Sequence, residues 1–465
     1  MTATRIEKDA LGEYEVPADA YYGIQTARIV ATFDVSGERP HPRLLWAYAA
    51  VKKAAALANL ECGAIPKKVA DAIAAAADEV MEGRLRDSFP VDVFSQGAGT
   101  SVHMNVNEVL ANRAIEILGG KKGEYRVVEP HDHVNRGQST NDTFPAATRI
   151  AVLAALRDLD GALAGLVEDL RGKATEFHGI VKAARTHLQD AVPIRLGQEF
   201  GAYASAIDRG AGALRNAAVD LEESPLGGTA AGTGITAPKG YRPAVLRHLS
   251  EITGLRVRPG KDLREGLQSH LPFAEVSGAL RNLSLELIRV ANDLRLLASG
   301  PATGLAEIVL PAVAPGSSIM PDKVNPSVAE MMNMAAFQVC GADTTVALAA
   351  QAGQLDLNVM TPVVAQNLLR AADLLGGAVR AFDGKCVRGI RVNEAHARAY
   401  AEKSSALVTA LTPLIGYARA AELSKEAKKR GFTIPQLLRE PGVASEKERA
   451  AVADLAALCD PPDGG

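Results

Sequence analysis

Four stretches of this chain are too long, too rich in Ala and Leu and too poor in proline to form anything but long helices. They run over about 144–172, 193–223, 268–299 and 326–380, the last with breaks expected near Gly341 and Gly353. Alanine loses no side-chain entropy in a helix, whereas proline interrupts the hydrogen-bond ladder. Helices of this length exceed the globular mean of roughly 11–12 residues. In the last stretch, Val328, Met331, Met332, Met334, Ala335, Ala336 and Val339 place apolar groups around much of the circumference. A helix that is apolar on every side must be buried on every side. One bundle achieves this only in part, so the pattern predicts a mainly α protein whose bundles pack together in a homo-oligomer.

The flanking regions differ. Residues 1–40 read as irregular, with turn signals at Gly12, Pro17, Gly37 and Pro40. Helical patterns follow at 42–60 and 67–82. Past residue 390 the composition turns charged (SKEAKKRG, SEKERA), which predicts a small, separate helical domain. The expected division is 1–140, 141–390 and 391–465, and the tail CDPPDGG is expected to fray.

Lys and Arg total 51 against 54 for Asp and Glu, a net charge of −3. That balance calls for neither nucleic acid nor an anionic membrane, though a local cluster of donors suits a small dianion. Cys62, Cys340, Cys386 and Cys459 are far apart and show no CxxC spacing, which favours reduced thiols in the cytoplasm. The charged N-terminus does not read as a signal peptide. No apolar run approaches the roughly 20 residues that span a bilayer.

Three polar stretches interrupt the apolar background, each where a helix begins. They are Gly97–Ser101 (GAGTS), Gln138–Asp142 (QSTND) and Gly316–Pro326 (GSSIMPDKVNP). Each offers hydroxyls and free backbone N–H groups at the positive end of a helix dipole, the arrangement that holds carboxylates without metal. Taken singly, such residues are ordinary helix caps. Together they carry more donors than caps require, and their number matches a substrate with two carboxylates. A fourth stretch, Arg185–Asp190 (RTHLQD), sets His187 between Thr186 and Gln189. A lone histidine is more often structural than catalytic, but its neighbours make a polar pocket reasonable. His131-Asp132-His133 lacks a third ligand at helical spacing, so no metal is expected.

Read in order, these stretches resemble the aspartase/fumarase superfamily over nearly the whole chain. GSSIMPDKVNP is similar to its GSSxMPxKxNP signature, and RTHLQDAVP and GAGTSVHMNVNEV to its other two regions. ADAYYGIQT, QSTND and AGQLDLNVMTPV favour its aspartase branch. The resemblance implies a three-domain, mainly α subunit and a homotetramer built on a long central helical bundle. It implies composite active sites, with the segments around Thr100 and Ser139, around His187 and around Ser317 drawn from three subunits. The implied reaction is reversible deamination of aspartate to fumarate and ammonia, with no cofactor. Ser317 would be the general base, and an aci-carboxylate the intermediate. Thr100, Ser139, Thr140 and Ser318 would bind the reacting carboxylate; Thr186, Lys323 and Asn325 the other; Asn141 and His187 would face the amino group. The alternatives are malate dehydration and elimination from another substituted succinate. Departures from the family pattern lie at Asp322 (usually Gly or Ala), His103 (usually Asn), Ala302 (often Arg) and 263–276.

Overall fold

The computed structural model describes residues 3–460; most of the tail expected to fray, 461–465, lies outside them. Residues 3–40 are more ordered than their turn signals suggest. Strands β1 (Thr4–Asp9) and β2 (Gly12–Pro17) form an antiparallel hairpin, followed by helix α1 (Ile24–Thr32). Arg5 fastens the segment by donating to the carbonyls of Pro17, Ala20 and Tyr22 at 2.7–2.9 Å. These contacts depend on distant pairing rather than on local hydrophobic period, so the sequence pattern concealed them.

Helices α2 (Pro42–Glu61), α3 (Lys67–Met81) and α4 (Thr100–Ile117) follow, then the long α5 (Thr140–Glu176). Buried Glu108 of α4 accepts from the N–H groups of Gly23, Gln25 and Thr26 at the start of α1, at 2.8–3.1 Å. A carboxylate at a helix N-terminus is favoured by the macrodipole. Beyond α5, strands β3 (Val181–Thr186) and β4 (Gln189–Arg195) form a second antiparallel hairpin. The remaining main helices are α6 (Leu196–Ala218), α7 (Tyr241–Thr253), the single turn α8 (Glu265–Gln268), α9 (Leu271–Leu297), α10 (Ser327–Gln351) and α11 (Thr361–Lys385). Near the C-terminus come α12 (Glu394–Lys403) and α13 (Thr412–Arg430).

The four long stretches thus become five long helices among the described residues. Gly341 does not break α10, because an isolated glycine inside a helix costs only about 1 kcal/mol. The break expected near Gly353 does occur, at 352–360. There Asn358 donates to the Ala349 and Ala350 carbonyls, both at 3.0 Å, and so satisfies the end of α10. The longest helix is α5, not the one after the GSSIMPDKVNP stretch.

The chain forms two compact units. Among the described residues, one comprises 3–160, Gly212–Ser284 and Phe337–Gly376; the other comprises Gly161–Ala211, Leu285–Ala336 and 377–460. The division falls inside α5, α6, α9, α10 and α11. In the second unit, Val181 at the root of the β3–β4 hairpin shares a hydrophobic cluster with Leu407, Leu411, Leu423 and Leu437.

Candidate active site

In the first unit, the starts of α4 and α5 carry the polar groups. The chain enters α4 through Ala98 and Gly99, both at positive φ (58° and 83°). A Cβ on Gly99 would collide with the ring of Phe144, so only glycine fits this approach. Thr100 opens the helix, and its hydroxyl lies 3.4 Å from the Gly97 carbonyl. One turn on, and on the same face, stands His103.

At α5, the side chains of Ser139 and Asp142 both cap backbone N–H groups of the helix start. The Ser139 hydroxyl oxygen accepts from the N–H of Asn141 at 3.2 Å, and the Asp142 carboxylate accepts from the N–H of Ser139 at 2.9 Å. The ordinary capping role is therefore real, yet it uses only the oxygen of Ser139 and leaves its proton available. Asp142 also accepts from Gly227 (3.1 Å) and Thr229 (2.9 Å), which ties a glycine-rich loop over the helix start. Burial raises the Asp142 carboxyl to about 6 against the opposing pull of these N–H groups and of Lys52. Asn141 donates its side-chain amide to the Ala230 carbonyl at 2.8 Å, leaving its oxygen as an acceptor. Ser139, Thr140 and His103 line a cavity of about 370 Å³ together with Thr229, Ala230 and Thr236.

Behind this cavity lies a network the motif reading missed. Fully buried Lys52 contacts His103 Nε2 (2.8 Å), Asn135 Oδ1 (3.0 Å) and Gln138 Oε1 (2.9 Å), and His103 Nδ1 lies 2.5 Å from Thr140 Oγ1. Desolvation holds both Lys52 and His103 well below their ordinary pKa values; Asp142 opposes the effect on Lys52. The available signal was a lysine inside the alanine-rich run AAVKKAAALAN, where a charge has to find buried partners. The glycine-rich GGTAAGTG at 227–234 was the other overlooked cue.

In the second unit, Thr186 ends β3 and His187 and Leu188 form the hairpin tip, all three exposed. His187 and Leu188 both have positive φ (57° and 58°), the two-residue turn that normally selects Asn-Gly. Below the tip, buried Lys182 pairs with Glu199 (2.8 Å) and Glu307 (3.0 Å), and Arg185 with Glu307 (2.9 Å). Burial raises the Glu199 carboxyl despite Lys182.

The GSSIMPDKVNP stretch is a loop closed at its neck. Gly316 N–H donates to the Lys323 carbonyl (2.8 Å), and the Asn325 amide donates to the Gly316 carbonyl (2.6 Å). A Cβ on Gly316 would collide with that Lys323 carbonyl oxygen. Inside the loop, Ser317 Oγ accepts from the N–H groups of Ile319 (3.2 Å) and Met320 (2.9 Å). Ser318 and Lys323 are exposed. Among the described residues, no hydrogen bond joins this loop to the hairpin tip. Thr100, Ser139, Thr140 and Asn141 therefore form one set within the first unit. Thr186, His187, Ser317, Ser318, Lys323 and Asn325 belong to the second, and neither unit alone holds every predicted group.

Residues 12–341 match the family model described as Lyase, and residues 407–460 match that described as Fumarase C C-terminus. The chain belongs to the aspartase/fumarase lyase family. Its mainly α architecture is that family's fold, and it is an enzyme of the aspartate ammonia-lyase type. It is 47% identical to an aspartate ammonia-lyase of a Bacillus species over 96% of each chain. It is 49% identical to a class II fumarate hydratase of Halobacterium salinarum, over 97% of this chain and 96% of that one. The crystal structure of a fumarate lyase:delta crystallin from Brucella melitensis, bound to cobalt, superposes with a TM-score of 0.95 at 44% identity, covering 99% of this chain and all of that one. The His131-Asp132-His133 motif has protein partners in this family member. Glu129 N–H donates to His133 Nδ1 at 2.9 Å, and His131 Nε2 lies 3.0 Å from the Gln25 amide nitrogen.

Proposed function

We propose that this lyase catalyses the reversible elimination of ammonia from aspartate to give fumarate, with Ser317 as the general base. The observation that carries the reading is the environment of Ser317 Oγ. A serine hydroxyl is a poor base unless its alkoxide is stabilised, and two backbone N–H groups already converge on this oxygen. Lys323, six residues along, supplies a positive charge to the same loop.

The alkoxide removes a proton from the carbon next to one carboxylate, and the electron pair passes into that carboxylate as the aci form. The pair then returns to form the C=C bond as the C–N bond breaks. Nitrogen bound as an ammonium leaves as neutral ammonia. Donors aimed at the developing charge are each worth roughly 3 kcal/mol in comparable sites. Thr100, Ser139, Thr140 and Ser318 are assigned to that carboxylate, and Thr186, Lys323 and Asn325 to the other. Asn141 suits the ammonium because its amide nitrogen is committed to Ala230 and its oxygen is free; His187 faces the same group. The Gly316 loop acts as a lid that excludes water.

The two sets of residues are completed by different subunits of a homotetramer. Support comes from α10, which leaves Met334, Phe337 and Leu348 more than half exposed. The proposed location is the cytoplasm. Among the described residues no helix is long and apolar enough to cross a membrane, and the four cysteines are unpaired.

The 49% identity to a fumarate hydratase makes malate the second candidate substrate. One assay separates them: purified protein receives aspartate, then malate, while fumarate absorbance and free ammonia are followed. Ammonia release from aspartate without malate turnover is expected. Turnover of malate alone would overturn the assignment.

A further inference from the structure

We propose that His103 is a positioning residue for carboxylate binding, held by Lys52 in the tautomer that makes the Thr140 hydroxyl a donor. The proposal rests on the reading that Thr140 binds a substrate carboxylate.

An ammonium has three N–H donors and no acceptor. Around Lys52 Nζ stand three polar atoms at 2.8–3.0 Å: the acceptor oxygens Asn135 Oδ1 and Gln138 Oε1, and His103 Nε2, whose role the ring tautomer sets. The Gln138 amide orientation is fixed, since its nitrogen donates to the carbonyls of Val134 (3.1 Å) and Arg136 (3.2 Å). Desolvation lowers the Lys52 pKa and the Asp142 carboxylate opposes it; Lys52 is taken as the ammonium because three partners at hydrogen-bond distance match its three protons. His103 Nε2 receives the third Lys52 proton, so the ring carries its own proton on Nδ1. Nε2 also lies 2.9 Å from Asn135 Oδ1, the partner that the opposite tautomer would use. With the ammonium present, that tautomer sets donor against donor. The ring plane is held by Tyr48, stacked on it at 5.7 Å.

Nδ1–H then donates to Thr140 Oγ1. Having accepted that hydrogen bond, the hydroxyl turns its own proton toward the cavity it lines with Ser139. A carboxylate accepts only, so it is bound by this arrangement. The opposite tautomer would draw the Thr140 proton onto the ring and present lone pairs to the carboxylate.

The test measures binding of succinate, an unreactive dicarboxylate, alongside aspartate turnover. Thr140→Val is expected to weaken succinate about tenfold or more, the loss of one charged hydrogen bond. His103→Ala should weaken it by a similar factor, yet add less than about twofold in the Thr140→Val background, because its effect passes through Thr140. His103→Asn sets an amide nitrogen in the place of Nδ1 and should restore binding to within about threefold of the parent. A structural role for His103 would not produce rescue by Asn together with silence in the Thr140→Val background. Additive losses, or failure of Asn to rescue, overturn the proposal. If Thr140→Val leaves succinate binding unchanged, the carboxylate reading itself fails, and the proposal falls with it.

Discussion

At the starts of α4 and α5 the polar side chains are locked into the protein, with Lys52, His103, Asn135, Gln138 and Asp142 bonded to one another or to backbone. The loop from Gly316 to Asn325 is built the other way. Its neck is pinned, but Ser318 and Lys323 stand exposed and Ile319 is 83% exposed. The first region has its donors pre-organised by burial, while the second carries the proposed base on a segment that substrate and neighbouring subunits are expected to cover. Electrostatic catalysis requires fixed donors, and access requires that something else moves. Dividing these tasks between two regions answers both demands.

Substitutions should therefore separate the regions. The largest effect is expected from Ser317→Ala, with kcat falling by about a thousandfold or more while oligomer size and melting temperature hold. Near-normal turnover would remove Ser317 from the mechanism. Gly99→Ala comes next, because its Cβ meets the buried Phe144 ring and its φ is 83°. Overpacking plus strain predicts a loss of about 3 kcal/mol in urea unfolding. Gly316→Ala meets the Lys323 carbonyl oxygen at the neck of the loop, so it should force that neck open and lower turnover, at a smaller stability cost than Gly99→Ala because no buried ring is displaced. Equal effects of the two on stability would erase the contrast.

Asp142 provides a pH test of the locked region. Its folded pKa of about 6 lies above the ordinary aspartate value of 3.8. Its contribution to stability is therefore fully present below about 3.8 and lost as pH rises through about 6. Relative to Asp142→Asn, the parent should lose on the order of 3 kcal/mol between pH 4 and pH 7. Urea midpoints of both proteins across that range check this, and a constant difference would contradict it. The smallest effect belongs to the hairpin tip. Leu188→Gly relieves a positive φ and should stabilise by about 1 kcal/mol, read as a small rise in melting temperature.

The long helices were legible because Ala and Leu at helical period, without proline, leave few alternatives. Three of the motifs also fell where expected, at the entry to a helix, whereas RTHLQD forms the tip of a β-hairpin that its sequence did not announce. What the sequence concealed was contact between distant segments. Arg5 closing onto Tyr22, Glu108 holding the start of α1, and Lys52 joining α2 to His103 are all set by tertiary burial. Ser139 shows a further limit: capping and ligand binding call for the same residue type, so the sequence alone did not divide its oxygen from its proton.

The central claim is that the locked donors of one subunit serve the serine loop of another. Ser317→Ala and Thr140→Val subunits, each nearly inactive alone, should be co-expressed and the mixed tetramers assayed with aspartate. Random mixing in a symmetric tetramer predicts recovery of about a quarter of the parent activity. Mixed tetramers no more active than either variant alone would show that both residues act within one chain, contrary to this account.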